Sequence, residues 1–121
     1  MPEIEKECKV ISKVPGSLKG LKLLNLDCGD FTATVDLVQE IDIFDEGNEV
    51  AFVVSRDKPN YTPNDFCAHG YLFYEKKSDN AFVSLISLYG LLVKIVSNSG
   101  IISSGILNMM DHVYVCIKKL N

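Results

Sequence analysis

The feature that most constrains this chain is alternation. Along most of its length, apolar and polar residues exchange places with period two, in short runs separated by turn residues. That is the repeat of a half-buried β-strand, whose successive side chains point to opposite faces. In residues 4–14, Ile4, Cys8, Val10 and Val14 share one parity, while Glu5, Glu7, Lys9 and Lys13 share the other. Val14-Pro15-Gly16-Ser17 is turn chemistry. Residues 21–26 are apolar again, and the Leu23-Leu24 doublet predicts a bulge or a change of facing. Cys28-Gly29-Asp30 reads as a tight connection. Phe31, Ala33, Val35 and Leu37 then alternate with Thr32, Thr34 and Asp36. Residues 39–44 extend this strand or start a short edge strand, and Asp45-Glu46-Gly47-Asn48 is a turn before a strand over 50–54.

Residues 56–65 interrupt the pattern. Two prolines and two asparagines, Pro59, Asn60, Pro63 and Asn64, fall in a connection longer than the usual ~4–6 residues, so the chain divides into halves 1–55 and 66–121. The second half reads as strands over 66–75, 81–89, 91–96 and 113–120. A polar hairpin loop is expected at 75–80, a small-residue loop at 97–105 and one helical turn over 107–110. Eight strands without a long helix indicate an all-β barrel or sandwich, and 121 residues suit a single domain, 1–121.

The halves differ in what their strands expose. First-half strands are apolar on one parity only. In the second half both parities are apolar: Phe66, Leu72 and Tyr74 oppose Cys67, Tyr71 and Phe73, and Phe82, Ile86 and Leu88 oppose Val83, Leu85 and Tyr89. Charge follows the same divide. Residues 1–60 hold 7 Lys/Arg and 12 Asp/Glu, whereas residues 61–121 hold 5 and 4. A strand apolar on both faces is covered on both faces, and a small barrel covers only the inner one. The outer face of the second half is therefore expected to meet a loop, a second copy or a larger protein.

Few chemistries remain open. Net charge is −4, with one arginine, Arg56, which disfavours autonomous DNA binding. A single-strand platform of Tyr71, Phe73 and Tyr74 with Lys76 and Lys77 is the alternative function, and core or interface packing of those aromatics is the simpler expectation. There is no phosphate-binding glycine motif, and the glycines sit singly at turns. Cys67-Ala68-His69 places a thiol and an imidazole on one side of a strand, but no further ligand at recognisable spacing completes a metal site. His112 is the other histidine. The chain is thus expected to be no enzyme by itself, with no catalytic, cofactor or metal set and no small-molecule substrate. Cys8, Cys28, Cys67 and Cys116 form no C-x-x-C pair and read as small buried hydrophobes in a reducing compartment, with disulfides open to a hyperthermophile. Residues 1–9 lack the apolar core of a secretory leader, and no apolar run reaches the ~20 residues of a membrane span, so the expectation is a cytoplasmic protein.

Several motifs add a family to this reading. Asp65-Phe66, Gly70 and Phe73 keep an acid–aromatic, glycine, aromatic spacing. Ser87-Leu88-Tyr89-Gly90-Leu91-Leu92-Val93-Lys94-Ile95 resembles S-F-G-G-L-L-M-R-L, and Tyr114-Val115-Cys116-Ile117-Lys118-Lys119 resembles Y-L-L-I-R-R. Val35-Asp36-Leu37, Glu40-Ile41 and residues 50–55 fit the strand pattern of the first half. Together these resemble the eighth-subunit family of archaeal and eukaryotic DNA-directed RNA polymerases. Tyr89 stands where that family has the first glycine of its pair, and Lys94 where it has arginine. The short loop 56–65 points to an archaeal member. The resemblance implies an eight-stranded antiparallel barrel made of two incomplete oligonucleotide-binding-like halves. It also implies a non-catalytic subunit docked on the largest polymerase subunit, among other polymerase subunits, supporting its assembly and meeting DNA only through the complex. Tyr71, Tyr89, Gly90, Leu91, Leu92 and Lys94 are the residues expected at that interface.

Overall fold

The computed structural model describes residues 2–16, 18–39 and 43–120. These form eight strands: β1 (Ile4–Pro15), β2 (Leu21–Asp27), β3 (Phe31–Val38), β4 (Glu49–Ser55), β5 (Phe66–Ser78), β6 (Ala81–Leu88), β7 (Leu91–Ser97) and β8 (His112–Lys119). All neighbouring strands pair antiparallel. They close into a barrel in the order β1-β2-β3-β7-β6-β5-β8-β4. The eight-stranded antiparallel barrel expected from the sequence is therefore observed. Each half repeats one topology, 3-2-1-4 and 7-6-5-8, and the halves join where β3 meets β7 and β4 meets β8. Closure leaves no free sheet edge.

The core is the inward parity of every strand. Val10, Leu24, Leu26, Val35, Phe52, Leu72, Ile86, Val93 and Val115 are all within 1% of full burial, and Phe44, Ile101 and Leu107 complete the core from loops. Two bulges explain where simple alternation misplaces residues. The ladder slips between Val10 and Ser12 on β1 and between Leu72 and Tyr74 on β5. An extra residue reverses facing beyond it. Val14 is consequently exposed rather than inward, and so is Tyr74. The bulge expected at Leu23-Leu24 instead lies on its partner strand, β1, and β2 pairs β3 in unbroken register.

Three other expectations change. β5 continues to Ser78, so the hairpin turn is only Asp79 and Asn80 rather than 75–80. Residues 107–110 form turns and not a helical turn. The cysteines are buried as expected for Cys8, Cys28 and Cys116, but all four are paired, Cys8 with Cys28 and Cys67 with Cys116. β3 ends at Val38. Ser17, the Glu40-Ile41 match and most of the 39–44 run lie outside the described residues.

Gly70 is not at a turn. It sits inside β5, and a Cβ built on it would lie 1.7 Å from the Ser87 carbonyl oxygen and 3.0 Å from Leu88 Cα. Only glycine admits so close a backbone approach. The slip at the β5 bulge also turns Glu75 inward beside Ser84. Glu75 accepts hydrogen bonds from Ser84 Oγ (2.7 Å), the Ile101 and Ile102 amides (2.6 and 2.9 Å) and the Ser103 amide and hydroxyl (both 2.9 Å). Partial burial alone would raise this carboxyl. The donors, from Ile102, Ser84, Ile101 and Ser103, outweigh it and lower the pKa to about 2. Glu75 thus pins the 98–107 loop whose Ile101 and Leu107 fill the core.

Candidate functional site

Register builds the outer face of the second half. Between β5 and β8, Cys67 faces Cys116, His69 faces Tyr114, and Tyr71 faces His112. Partners in an antiparallel pair share a face, so these six residues form one ladder outside the barrel. Its lower rung is the Cys67–Cys116 disulfide. Over this end Lys118 Nζ donates to the Asn60 carbonyl, tying the 56–65 loop to β8.

The upper rungs make a cluster of rings. His69 Nδ1 and His112 Nε2 are 3.0 Å apart, a hydrogen bond between imidazoles. Tyr89 meets His69 edge-on at a centroid distance of 5.2 Å, Tyr71 meets His112 at 5.2 Å, and Tyr114 lies 5.4 Å from both imidazoles. Edge-to-face contacts of this length are favourable and hold rings in place.

Tyr89 reaches the cluster from the β6–β7 hairpin. Leu88 pairs with Leu91, which leaves Tyr89 and Gly90 as a two-residue turn. Their φ values are 55° and 100°. A turn with both central residues at positive φ matches the twist of the flanking strands. Gly90 adopts it freely, whereas a side-chain residue in this region costs about 1–2 kcal/mol. Tyr89 is nonetheless 76% exposed, so burial of its ring does not offset that strain.

The exposed apolar surface spreads from these rings. Phe73, the extra residue of the β5 bulge, and Tyr74 stand beside Tyr71, all about 40% exposed. Met109 and Met110 project from a turn fixed to the bulge, where the Met110 amide donates to the Leu72 carbonyl at 2.6 Å and the Leu72 amide to the Asp111 carbonyl at 3.0 Å. That turn is clamped at Asp111, whose carboxylate accepts from the Asn108 amide and from Arg56 Nη2, each at 2.7 Å. The Asn108 amide, opposed by burial and joined by the Arg56 guanidinium, holds the Asp111 carboxyl below its ordinary range.

One lateral row shows the contrast between halves. Tyr74, Leu85 and Lys94 continue across β3, β2 and β1 as Thr34, Asn25 and Ser12. The last three are polar and mutually bonded, Thr34 Oγ1 to Asn25 Oδ1 at 3.0 Å and Asn25 Nδ2 to Ser12 Oγ at 2.8 Å. Of the thirteen large apolar side chains exposed among the described residues, nine follow the 56–65 loop. The second half therefore carries the apolar outer surface.

Most of the residues singled out in the sequence gather here. Tyr71, Tyr89, Gly90, Leu92 and Lys94 are exposed, and the Leu92 amide donates to Asp36 at 3.0 Å. Leu91 differs, because neighbours on a strand alternate: it is half-buried and packs on the core. Cys67 and His69 do share a face, but the Cys67 sulfur is bonded to Cys116, so no thiol stands beside the imidazole. Among the described residues no group of three or more His, Cys, Asp or Glu is placed to hold a metal ion. The parity of the last strand puts His112 and Tyr114 with Cys116. Their meeting with β5 depends on strand order, which periodicity does not encode.

Residues 3–120 match the family model for the RpbG subunit of DNA-directed RNA polymerase. The chain belongs to that family. Relatives named DNA-directed RNA polymerase subunit Rpo8 include one from Sulfolobus acidocaldarius, 49% identical over 114 residues, covering 93% of this chain and 94% of that protein. Another, from Saccharolobus solfataricus, is 42% identical over 125 residues, covering 98% and 95%. A third, from Saccharolobus shibatae, is 40% identical over 123 residues, covering 97% and 94%. The family resemblance read from the sequence is thus shown, and this member of the RpbG family is matched along both halves of its barrel. Among solved structures, the cytoplasmic molybdate-binding protein ModG is only loosely similar, with a TM-score of 0.37 and 11% identity over 96% of this chain and 89% of that one. No helix of the described residues is long and apolar enough to cross a membrane.

Proposed function

We propose that this chain is a non-catalytic subunit of an archaeal, cytoplasmic DNA-directed RNA polymerase. It docks the outer face of its second half on the largest subunit and stabilises that subunit during assembly. One observation carries the proposal: Tyr71, Phe73, Tyr74, Tyr89, Leu92, Met109 and Met110 stand exposed beyond the loop that divides the barrel. Aromatic and methionine side chains are enriched at interface cores. Burying such a surface favours association at roughly 25 cal/mol per Å² of apolar area, less the cost of ordering both partners.

Because Leu91 packs inward, an acidic residue there would damage the fold and report nothing about docking. The test is Tyr71→Asp combined with Leu92→Asp, with co-purification of the polymerase as the readout. Loss of incorporation by a folded variant supports the face; full incorporation removes it. Exposure of Tyr71, Phe73 and Tyr74 beside Lys76 and Lys77 keeps a second reading, a free single-strand-binding barrel. It requires oligonucleotide binding by the isolated chain that weakens steeply with salt. No binding at low salt eliminates it.

A further inference from the structure

We propose that His69 and His112 form an open two-imidazole site for a first-row divalent transition metal, Cu(II), Ni(II) or Zn(II). The proposal rests on the geometry of the pair and not on the docking reading above. His69 Nδ1 and His112 Nε2 already stand 3.0 Å apart. Two nitrogens bound to one ion at ~2.0–2.1 Å are separated by ~2.9 Å when their bonds meet at a right angle and ~3.4 Å when they are tetrahedral. To chelate an ion, each ring turns its lone pair off the N–N line, because the ion sits ~1.4 Å beside that line, and the imidazole that donates the shared hydrogen bond moves its proton through water to its other ring nitrogen.

The surroundings favour the exchange. The two rings come from different strands, β5 and β8, and are held by Tyr89, Tyr71 and Tyr114 at centroid distances of 5.2–5.4 Å. Rings confined by such neighbours lose less freedom when they ligate than free side chains do. His69 is exposed, so an ion can enter from solvent and keep water in its remaining positions. Asp111, the nearest carboxylate in sequence, is engaged by Arg56 and Asn108. The two atoms that the pair brings together are imidazole nitrogens, donors that suit copper, nickel and zinc better than magnesium and calcium. Affinity should follow Ni(II) < Cu(II) > Zn(II).

The chain reports on its own site. It has no tryptophan and five tyrosines, of which Tyr71, Tyr89 and Tyr114 border the imidazoles. Titrating CuCl2 into the untagged full-length chain should quench tyrosine emission, and calorimetry should give one ion per chain. His69→Gln and His112→Gln, each folded by circular dichroism, should each weaken binding at least tenfold. MgCl2 should produce no signal. Binding unchanged in both variants, or no binding of any of the three metals at 1 mM, overturns the proposal and leaves the pair a hydrogen bond only.

Discussion

Gly70→Ala is the sharpest test of how this barrel closes. The added methyl would lie 1.7 Å from the Ser87 carbonyl oxygen, 2.7 Å from the Ser87 carbonyl carbon and 3.0 Å from Leu88 Cα. All three are backbone atoms, so no side chain can swing away. Restoring even a 3.0 Å contact to the oxygen demands a shift of more than 1 Å between β5 and β6, against the neighbouring Tyr71–Ser87 rung. Overpacking of cores costs about 1–3 kcal/mol, and a backbone clash belongs at or above the upper limit. Unfolding entropy scales as ~2.1 cal/mol/K per residue, so 3 kcal/mol on this chain lowers Tm by about 12 °C. A melt followed by circular dichroism measures it. Gly29→Ala is the control. Its Cβ would meet nothing within 4 Å, but its φ of +81° carries a conformational cost of about 1 kcal/mol. If Gly70→Ala is no more destabilising than Gly29→Ala, the close approach does not govern closure and the reasoning fails.

Three further outcomes are expected. Glu75→Gln should destabilise the chain by about 1–2 kcal/mol at pH 7, a figure reduced for solvent screening. Because the folded Glu75 pKa is depressed to about 2, its contribution is full above the ordinary carboxylate pKa and lost as pH falls from roughly 4.5 towards 2, so the two melting curves should converge there. Replacing Cys67 and Cys116 together by serine should cost about 4 kcal/mol and replacing Cys8 and Cys28 about 3, since the spans closed are 49 and 20 residues; negligible losses in chemical denaturation count against the pairings. Tyr89→Gly should stabilise the isolated chain by up to ~1 kcal/mol by relieving a positive φ, while weakening polymerase co-purification; a destabilised turn or undiminished incorporation contradicts the account of Tyr89 as an exposed docking ring.

Strand number was legible in the sequence because turn residues separate short apolar runs, alternating in the first half and apolar on both faces in the second. Facing was legible only up to a bulge: Val14 and Tyr74 carry apolar side chains that alternation points inward, and the slips beside them point them out. Alternation alone does not decide which residue is the extra one at either slip, and a bulge bends the strand that carries it. The candidate face was half legible. Two-sided apolarity identified β5 to β7, and the hairpin glycine marked Tyr89. The partnership of His69 with His112 was not, because it joins strands 43 residues apart through the closure order. Glu75 was hidden for the same reason, a carboxylate in a polar run whose function appears only when the 98–107 loop folds over it.

The two halves close the same corner in two ways, and the glycine corner lies beside the candidate face. In the first half, Lys9 pairs with Asp27, so the next step of the same register sets Cys8 against Cys28, where a disulfide joins the corner. In the second half, Tyr71 pairs with Ser87, so the next step sets Gly70 against Leu88, where the missing side chain lets the backbones meet. The crosslink joins Cys8 and Cys28 at a Cα–Cα distance of 4.2 Å through their side chains, whereas at Gly70 the backbones meet with no side chain between them. The direct contact draws the end of β6 against β5, and the next residue after Leu88 is Tyr89, which lands on His69. Gly70 follows His69 on β5, so the corner it closes is also the one that carries the imidazole Tyr89 meets. A substitution that loosens this corner, such as Gly70→Ala, should disperse the ring cluster and weaken co-purification with the polymerase even where the barrel itself survives.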